Sequence, residues 1–301
     1  METVSVLLST YNGECFLEEQ IESVLSQVGV KVHLFIRDDG SSDSTKNIVR
    51  KFAEKDPRIT VFLEHNLGYT RSFFSLCRLA KNTADYYAFC DQDDVWLPDK
   101  LISAIKQLGK GNNKYKLYFS GLTLVDKDLK KLGEKQYNLQ DINFGHAMIR
   151  SSVAGCTMVF NNNLNNLSIS TNNINQLAGH DSWIYRLNLA IGGKTIYDSH
   201  SYIYFRRYET NTTSSGKITL KRILKEINLS REESLKYNTS RILAGEFKKY
   251  LREDNEVLVT NIATYRDSIR KKFQLLFSSK LNYSFFPVVV ICKLQILFDK
   301  Y

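Results

Sequence analysis

The sequence predicts an α/β fold whose first part is built on a mainly parallel β-sheet, followed by a helical C-terminal region. Over the first hundred residues, short β-branched segments alternate with amphipathic segments of helical period, which is typical of βαβ units. From Lys217 onward, apolar residues keep helical spacing and basic residues predominate. We therefore expect two domains, residues 1–215 and 216–301, joined within the polar stretch ETNTTSSGK at 209–217.

Four strands and three helices are predicted to alternate in the first hundred residues. The first helix shows the pattern clearly, because Phe16, Leu17, Ile21 and Val24 recur at helical spacing behind an acidic start. Apolar, β-branched runs between such helices are typical of buried strands. The predicted strands are Val4–Thr10, Val32–Asp39, Ile59–His65 and Asp85–Asp94, and the predicted helices are Glu14–Gln27, Ser42–Asp56 and Arg71–Asn82.

The pattern is weaker after residue 100. A helix is predicted within Gly179–Gly193, with Asp181 or Ser182 as its N-cap, since both side chains accept hydrogen bonds from free backbone N–H groups. The Asn-rich stretch Asn161–Gln176 is interpreted as a loop or a surface helix. Further strands are predicted at Tyr115–Asp126, Val153–Asn161 and Lys194–Arg207, and Ile262, Tyr265, Ile269, Phe273 and Leu276 keep the spacing of an amphipathic helix.

Composition bounds the class of protein. An apolar fraction of 43% is that of a globular chain. The five cysteines are scattered without a Cys-x-x-Cys pair, which is typical of a reducing compartment. The sequence has no signal-peptide pattern, and no window approaches the roughly 18 uninterrupted apolar residues that a spanning helix needs. We therefore expect a cytoplasmic protein.

The net charge of +9 is concentrated at one end of the chain. From Lys217 to the end there are 17 Lys and Arg against 9 Asp and Glu, whereas the first 216 residues hold 24 against 23. Basic tails of this kind bind nucleic acid or an anionic membrane surface, or are simply solvated. The two regions are therefore expected to have different partners.

Polar residues cluster where the predicted strands end, which is the edge where parallel sheets hold their functional groups. In an extended segment Asp91 and Asp93 point the same way, and two such carboxylates either raise each other's pKa or hold a divalent cation. No His/Cys cluster with zinc spacing is present, so Mg²⁺ or Mn²⁺ fits best. The alternative is that Asp93 or Asp94 caps a helix starting near Pro98.

The pair Asp38 and Asp39 raises a similar question one strand earlier. Asp-Gly-Ser is good turn chemistry, so the pair is either a turn signal or an acceptor of hydrogen bonds from a nucleotide base or ribose. The first strand is not followed by Gly-x-Gly-x-x-Gly, and there is no Walker motif. A dinucleotide site of the Rossmann type is therefore not expected.

The segments SVLLSTYNGECFLEEQIESVLSQ, IRDDGSSDST, HNLGYTRSF, FCDQDDVWLPDKL and GHDSW resemble, in the right order, the family 2 glycosyltransferases. That family consists of inverting enzymes of the GT-A fold that use nucleotide sugars. The resemblance covers roughly residues 3 to 211 and includes YFRRYETN near its end. The form Asp-Gln-Asp-Asp-x-Trp is most similar to bacterial rhamnosyltransferases and related enzymes that build surface polysaccharides.

The resemblance implies a donor site at the edge of the sheet. Asp39 would accept the N3–H of a uracil or thymine base. Asp91 would reach the ribose or a metal-bound water, and Asp93, the second acid of the DXD motif, would bind the cation that bridges the diphosphate. The remaining residues implied at this site are Thr10, Tyr11 and Glu14 in the nucleotide pocket, and Asn66, Gly68 and Arg71 near ribose and diphosphate.

For the acceptor, the resemblance implies that Asp181 is the general base that deprotonates the attacking hydroxyl group. Trp183 would stack on the acceptor sugar or, alternatively, belong to the core of the following helix. His180 adjoins the base and would either tune it or bond to the backbone. Where the family segment usually has His, this chain has Tyr208, which weakens the metal assignment.

Arg206 and Arg207 precede that departure from the family pattern. Either arginine would neutralise the diphosphate, because a guanidinium group binds phosphate in bidentate geometry. The alternative is that both are exposed arginines on a strand.

The donor is expected to be dTDP-L-rhamnose on resemblance alone, with a UDP-hexose (galactose, glucose or their N-acetyl forms) as the alternative. The acceptor is expected to be a glycan or a polyprenyl-linked glycan. The basic C-terminal region would bind an anionic membrane surface at the inner face of the cell membrane, pack on the catalytic domain or form a homo-oligomer.

Two other classes are weighed against this interpretation. DQDDV matches the Asp-x-Asp-x-Val motif of haloacid-dehalogenase-type phosphatases, but that motif belongs on the first strand of its fold. A non-catalytic nucleic-acid binder would explain the basic tail and not the polar strand ends, so no nucleic-acid partner is expected.

Overall fold

The computed structural model describes residues 1–109, 111–151, 153–207 and 235–301. Its strands are β1 (Thr3–Thr10), β2 (Lys31–Asp38), β3 (Ile59–Leu63), β4 (Tyr86–Cys90), β5 (Val95–Trp96), β6 (Lys116–Val125), β7 (Lys131–Lys135), β8 (Val159–Asn161) and β9 (Lys194–Arg206). Its α-helices are α1 (Leu17–Leu25), α2 (Thr45–Lys55), α3 (Tyr69–Leu79), α4 (Lys100–Leu108), α5 (Phe144–Ile149), α6 (Asn162–Ser168), α7 (His180–Ala190), α8 (Leu235–Glu246), α9 (Glu253–Thr264), α10 (Ile269–Leu276) and α11 (Phe286–Leu297).

Within these residues the strands form one sheet in the order β3-β2-β1-β4-β8-β6-β9-β5, with β7 paired to β6. The β3-β2-β1-β4 half is entirely parallel, and β6 and β9 form another parallel pair. The short strands β5, β7 and β8 pair antiparallel with their neighbours. The predicted α/β fold with a mainly parallel sheet is confirmed.

Burial on both faces of the sheet explains the sequence pattern of the first hundred residues. In β1 the side chains of Val4, Val6 and Leu8 are fully buried, and they pack in one cluster with Leu17 and Ile21 of α1. Burying such a side chain contributes about 1.5–3 kcal/mol relative to leaving it exposed. This core fixes the positions of the β1, β2 and β4 carboxyl ends, which lie side by side because the three strands are parallel.

Several predicted elements differ from the observed ones. Strand β4 ends at Cys90, so Asp91–Asp94 leave the ladder instead of extending it. The predicted strand at Val153–Asn161 is strand only in its last three residues, after a 3-10 turn. Part of the Asn-rich stretch forms α6, because Asn161 caps it by accepting a hydrogen bond from the Leu164 N–H at 3.3 Å. The helix buries Leu164 and Leu167.

The predicted cap of α7 was wrong. The helix begins at His180 with Gly179 at its N-cap position, and no side chain caps it. Asp181 and Ser182 lie in the first turn instead. There the Asp181 carboxylate accepts a hydrogen bond from the Ser182 backbone N–H at 2.6 Å.

The chain divides into two compact units, 1–137 with 153–170 and 193–209, and 138–152 with 171–192 and 210–301. In the second unit, the Tyr301 hydroxyl group donates to the Met148 carbonyl at 2.8 Å and Asn255 Nδ2 donates to the Leu189 carbonyl at 3.0 Å. Helices α5 and α7 thus belong with the C-terminal helices. The linker expected at 209–217 lies outside the described residues, and the two-domain boundary stays a prediction.

Candidate active site

The β2 carboxyl end separates the two roles that the sequence left open for Asp38 and Asp39. Asp38 is fully buried and takes the turn role: its Oδ1 accepts from the Ser41 backbone N–H at 3.0 Å. Its Oδ2 accepts from the hydroxyl groups of Ser41 and Thr10, the latter at 3.2 Å. Thr10 is therefore buried against the turn and holds the β1 and β2 ends together.

Asp39 connects the β2 end to the segment that leads into α3. Its carboxylate forms an ion pair with Arg37 and accepts hydrogen bonds from the backbone N–H groups of Leu67 at 2.8 Å and Gly68 at 2.9 Å. Both charged groups are buried. The structure thus brings Asp39, Asn66 and Gly68 together, as the resemblance implied.

Gly68 is at the N-cap of α3 with φ +80° and ψ 151°, a conformation that is essentially restricted to glycine. A Cβ there would meet no atom within 4 Å, so backbone conformation alone explains the glycine. The Asn66 Oδ1 accepts from the Gly68 N–H at 3.0 Å. Arg71 follows in the first turn of α3, where its Nε donates to the Leu67 carbonyl at 2.7 Å and its side chain is exposed.

The β1 and β4 ends are joined by a side chain that sequence reasoning missed. Gln92 accepts from the Tyr11 backbone N–H at 2.8 Å and donates to the Tyr11 carbonyl at 3.1 Å, as a neighbouring strand would. A Cβ on Gly13 would lie 2.4 Å from Gln92 Oε1, so the loop needs glycine there. The Tyr11 side chain is 51% exposed on this edge. An amide between acidic residues was the available signal.

Glu14, expected in the nucleotide pocket, binds the loop before α2. Its Oε2 accepts from the Ser44 backbone N–H at 2.8 Å, and its own backbone N–H donates to Asp43 Oδ2 at 3.1 Å. The printed contacts of Glu14 therefore position the start of α2, and its side chain remains exposed beside Tyr11.

The acidic loop Asp91–Asp94 follows β4. Asp91 and Asp93 are partly exposed, whereas Asp94 is fully buried. Asp94 turns inward: one carboxylate oxygen of Asp91, one of Asp94 and the Cys156 sulfur lie within 4.8 Å of one another. Burial, reinforced by the charges of Asp91 and Asp93, raises the pKa of the Asp94 carboxyl group well above its usual range.

The donor set around this loop fits a hard divalent cation. Carboxylate oxygens are the ligands that Mg²⁺ and Mn²⁺ prefer, and a cation would offset the repulsion among the acids. Burial raises the pKa of the Cys156 thiol well above its usual range, so the sulfur stays protonated and is a poor ligand. Among the described residues, the site therefore offers oxygen ligands and not the thiolate and imidazole set that zinc selects.

A buried lysine lies beneath the same loop. Lys100 begins α4, is 1% exposed, and its Nζ lies 3.7 Å from the centroid of the Trp96 ring. Burial lowers the pKa of Lys100 to about 8, while Cys156, Cys90 and Asp94 act in the opposite direction. The N-cap of α4 is Asp99, so neither Asp93 nor Asp94 caps this helix.

Arg206, at the end of β9, supports the acidic loop from behind. Its guanidinium group donates to the Asp93 carbonyl at 2.9 Å, pairs with Glu19, and lies 4.4 Å from the centroid of the Phe16 ring. Its backbone N–H donates to Asp94 Oδ1 at 3.3 Å. The alternative expectation that Arg206 is exposed was wrong, since it is 1% exposed.

Arg207 is partly exposed, and its backbone N–H donates to the Val125 carbonyl at 2.8 Å. Tyr208, which replaces the family histidine, lies outside the described residues.

The residues expected at the acceptor side lie on α7, in the second unit. Asp181 is partly exposed. Trp183 is 1% exposed and packs edge-on against Phe247, with ring centroids 5.4 Å apart, which matches the alternative expectation of a core residue. Burial lowers the pKa of His180 to about 4, with the charge of Asp181 acting in the opposite direction.

Comparison with known proteins decides the family. The model of Glycosyl transferase family 2 matches residues 5–165, more than half of the chain, and this range includes β1–β4 and the acidic loop. The chain belongs to glycosyl transferase family 2. It is therefore a glycosyltransferase, and the resemblance noted in its motifs is confirmed.

Two curated relatives match along most of their length. The dTDP-rhamnosyl transferase RfbG of Shigella flexneri is 27% identical over 245 residues, covering 78% of this chain and 83% of the relative. The putative teichuronic acid biosynthesis glycosyltransferase TuaG of Bacillus subtilis is 27% identical over 215 residues, covering 71% of this chain and 82% of the relative.

Solved structures show the same fold. The TarS 1–349 structure from S. aureus superposes with a TM-score of 0.58 at 16% identity, covering 93% of this chain and 76% of that chain. The mannosyltransferase PcManGT from Pyrobaculum calidifontis, solved in complex with GDP-Man and Mn²⁺, superposes with a TM-score of 0.53 at 17% identity, covering 99% and 88%. The GT-A fold expected from the motifs is confirmed.

Proposed function

We propose that the protein is an inverting, metal-dependent glycosyltransferase that moves a sugar from a nucleotide sugar to a hydroxyl group of a glycan or a polyprenyl-linked glycan. The donor is dTDP-L-rhamnose, and the product belongs to a bacterial capsule, O-antigen or cell-wall polysaccharide. The observation that carries this proposal is the acidic loop at the carboxyl edge of the sheet in a chain of family 2. The name of the Shigella relative supports the rhamnosyl donor.

The nucleotide binds at the β1 and β2 ends in this proposal. Asp39 accepts three hydrogen bonds, from Arg37 and from the N–H groups of Leu67 and Gly68. A carboxylate can accept about four, which leaves one for the N3–H of a thymine or uracil base. Tyr11 forms an exposed wall of this pocket, and Thr10 supports the turn beneath it.

Asp91 and Asp93 hold the cation, Mg²⁺ or Mn²⁺. Both are partly exposed and face the side from which a diphosphate arrives, whereas Asp94 is enclosed by protein. The bound cation would stabilise the negative charge that develops on the departing nucleoside diphosphate. Arg71 and Arg207 are placed to add positive charge to the diphosphate, while Arg206 holds the Asp93 backbone in position.

Asp181 accepts the proton of the acceptor hydroxyl group as that oxygen attacks the anomeric carbon. Attack from the face opposite the leaving group inverts the anomeric centre in one step, so no covalent nucleophile is needed. The partial exposure of Asp181 in the first turn of α7 supports this role.

A thermal-shift panel tests the proposal. Wild type and Asp93→Ala are heated with dTDP, UDP, GDP and CMP, each with and without Mn²⁺. We expect dTDP to raise the melting temperature most, and only when both the cation and Asp93 are present, because a ligand that binds the native state stabilises it. A larger shift with UDP would move the donor to a UDP-hexose, and no shift with any nucleotide would refute the proposal.

A further inference from the structure

The described part of the second unit exposes an unusual amount of aromatic surface on α10 and α11. We call this surface the aromatic face and define it by one stripe on each helix. The stripe on α10 comprises Ile269, Phe273 and Phe277, and the stripe on α11 comprises Phe286, Val290 and Leu297. Phe277 is 83% exposed and Phe286 is 73% exposed. Scattered exposed apolar residues are ordinary, but aligned ones indicate a contact surface.

Helical spacing aligns each stripe. Residues 269, 273 and 277 follow one another at intervals of four, so they lie along one side of α10, while Leu275 is buried on another side. On α11, residues 286, 290 and 297 lie on one side, and Ile291, Cys292 and Ile296 are buried. The core therefore already has its apolar contacts, and the stripes are additional to it.

Hydrogen bonds between the two helices join the stripes into one surface. Lys293 Nζ donates to the Leu275 carbonyl at 2.7 Å and to the Ser278 carbonyl at 3.2 Å. Lys272 Nζ donates to the Leu297 carbonyl at 3.4 Å. The helices are thus antiparallel neighbours, and both lysines lie next to stripe residues on their own helix.

The charge around the aromatic face is strongly positive. Residues 268–301 contain six basic side chains and a single acidic one, Asp299. That acid is paired with Lys272 at 2.9 Å. The basic side chains are Arg270, Lys271, Lys272, Lys280, Lys293 and Lys300. None of the helices that the structure describes has the length and apolar composition needed to cross a bilayer.

We propose that the aromatic face docks the protein onto an anionic lipid bilayer, lying in the headgroup region without spanning it. A helix face rich in Phe and Leu beside Lys and Arg binds membranes in this way, because apolar insertion and attraction to anionic lipid act together. A protein partner would not require positive charge around the apolar stripe, whereas an anionic bilayer does. The inference rests on the proposed function in one respect, since polyprenyl-linked acceptors are held in such a membrane.

Vesicle flotation tests the docking surface. The full chain is mixed with vesicles of phosphatidylcholine alone or with 30% phosphatidylglycerol, at low salt and in 0.5 M NaCl. We compare wild type with the triple variant Phe273→Ser/Phe277→Ser/Phe286→Ser and with the control Val28→Ser/Leu79→Ser/Leu132→Ser, which removes exposed apolar residues of the first unit. Retained helical circular dichroism and a retained dTDP shift show that each variant is folded.

We expect wild type and control to bind anionic vesicles, with weaker binding to neutral vesicles and in high salt, and the triple variant to bind at least about tenfold more weakly. Equal binding of the triple variant, or no binding of wild type, would overturn the inference. A dimer of wild type in light scattering that the triple variant loses would assign the face to a second copy and also overturn it. Because nucleotide binding is read separately, failure of the docking surface is distinguishable from failure of the proposed function.

Discussion

Asp39 illustrates how one side chain serves both stability and binding. Its carboxylate is buried against Arg37 and holds two backbone N–H groups of the loop before α3. A buried acid of this kind is stable only while its partners remain, because removing one partner leaves an uncompensated charge. The same contacts orient its remaining acceptor direction toward the proposed base pocket.

Asp39→Asn should therefore lower the free energy of unfolding by about 3 kcal/mol, since it leaves the Arg37 guanidinium group buried without its counter-charge. Urea denaturation measures this effect. The matched control is Asp56→Asn, which breaks an ion pair between Asp56 and Arg58 with both side chains partly exposed, and should cost less than about 1 kcal/mol. Equal effects of the two variants would contradict the buried pair.

Gly68 provides a second test at the residue scale. Gly68→Ala should destabilise the protein by about 1–3 kcal/mol, because alanine rarely adopts φ +80° with ψ 151°. Gly133→Ala is the matched control, since neither position has an atom within 4 Å of an added Cβ and Gly133 does not have positive φ. Denaturant titration of both variants should separate them, and a neutral Gly68→Ala would show that the loop is not held in that conformation.

At the scale of the element, α7 carries a pH-sensitive residue at its start. His180 is buried and its pKa is lowered to about 4, against an unperturbed value near 6.5. Below pH 6.5 the unfolded chain takes up a proton that the folded chain does not, so stability falls as the pH falls through this window. Above pH 6.5 the residue contributes no slope.

We expect stability to fall by about 2 kcal/mol more in wild type than in His180→Gln between pH 7 and pH 5, with the remaining groups cancelling in the difference. Urea titrations at both pH values measure it. His65→Gln is the control, because its exposed ring should show no such difference. A His180→Gln variant with the full wild-type pH dependence would contradict the assignment.

Arg206 at the end of β9 also acts at the scale of elements, since it links α1 through Glu19 to the loop after β4. Arg206→Lys should weaken Mn²⁺-dependent nucleotide binding, because an ammonium group cannot reproduce the planar contacts to Glu19 and to the Asp93 carbonyl. The control Arg58→Lys changes an exposed arginine away from the loop. Titration calorimetry with dTDP and Mn²⁺ should show the loss only in Arg206→Lys, and unchanged affinity would show that the loop is held by other contacts.

The elements that depend on local pattern were predictable from the sequence. Strands β1 and β2 and helix α1 follow from apolar period and buried β-branched residues, and their parallel order follows from alternation. The break before α10 was not predicted, because the spacing of Ile262, Tyr265 and Ile269 continues through it. There Ser268 accepts a hydrogen bond from the Lys271 N–H at 3.4 Å and starts a new helix.

The acidic loop shows the limit of the same reasoning at the candidate site. Which acids belong to it was clear from the motif, but the inward turn of Asp94 was not. That turn depends on Cys156, Lys100 and Arg206, which are distant in sequence and come together only in the folded sheet. Long-range packing of this kind has no local signal.

For the whole molecule, charge and fold divide along the chain in a way that matches two tasks. The nearly neutral first 216 residues contain the sheet and the acidic loop, and the basic remainder contains the aromatic face. A neutral donor region avoids repelling or trapping an anionic nucleotide sugar, and a basic region attracts an anionic surface. The proposed transfer and the proposed docking are therefore assigned to different parts of the sequence.

The central claim is cation-assisted use of a nucleotide sugar by the acidic loop. The most direct measurement is release of the nucleoside diphosphate from dTDP-L-rhamnose, UDP-galactose, UDP-glucose and UDP-N-acetylglucosamine, with Mn²⁺ or with a chelator, by wild type and Asp93→Ala. The account predicts slow release from dTDP-L-rhamnose that needs Mn²⁺ and falls by roughly a hundredfold or more in Asp93→Ala. Release that is unaffected by the chelator and by Asp93→Ala, or no release from any donor, would contradict it.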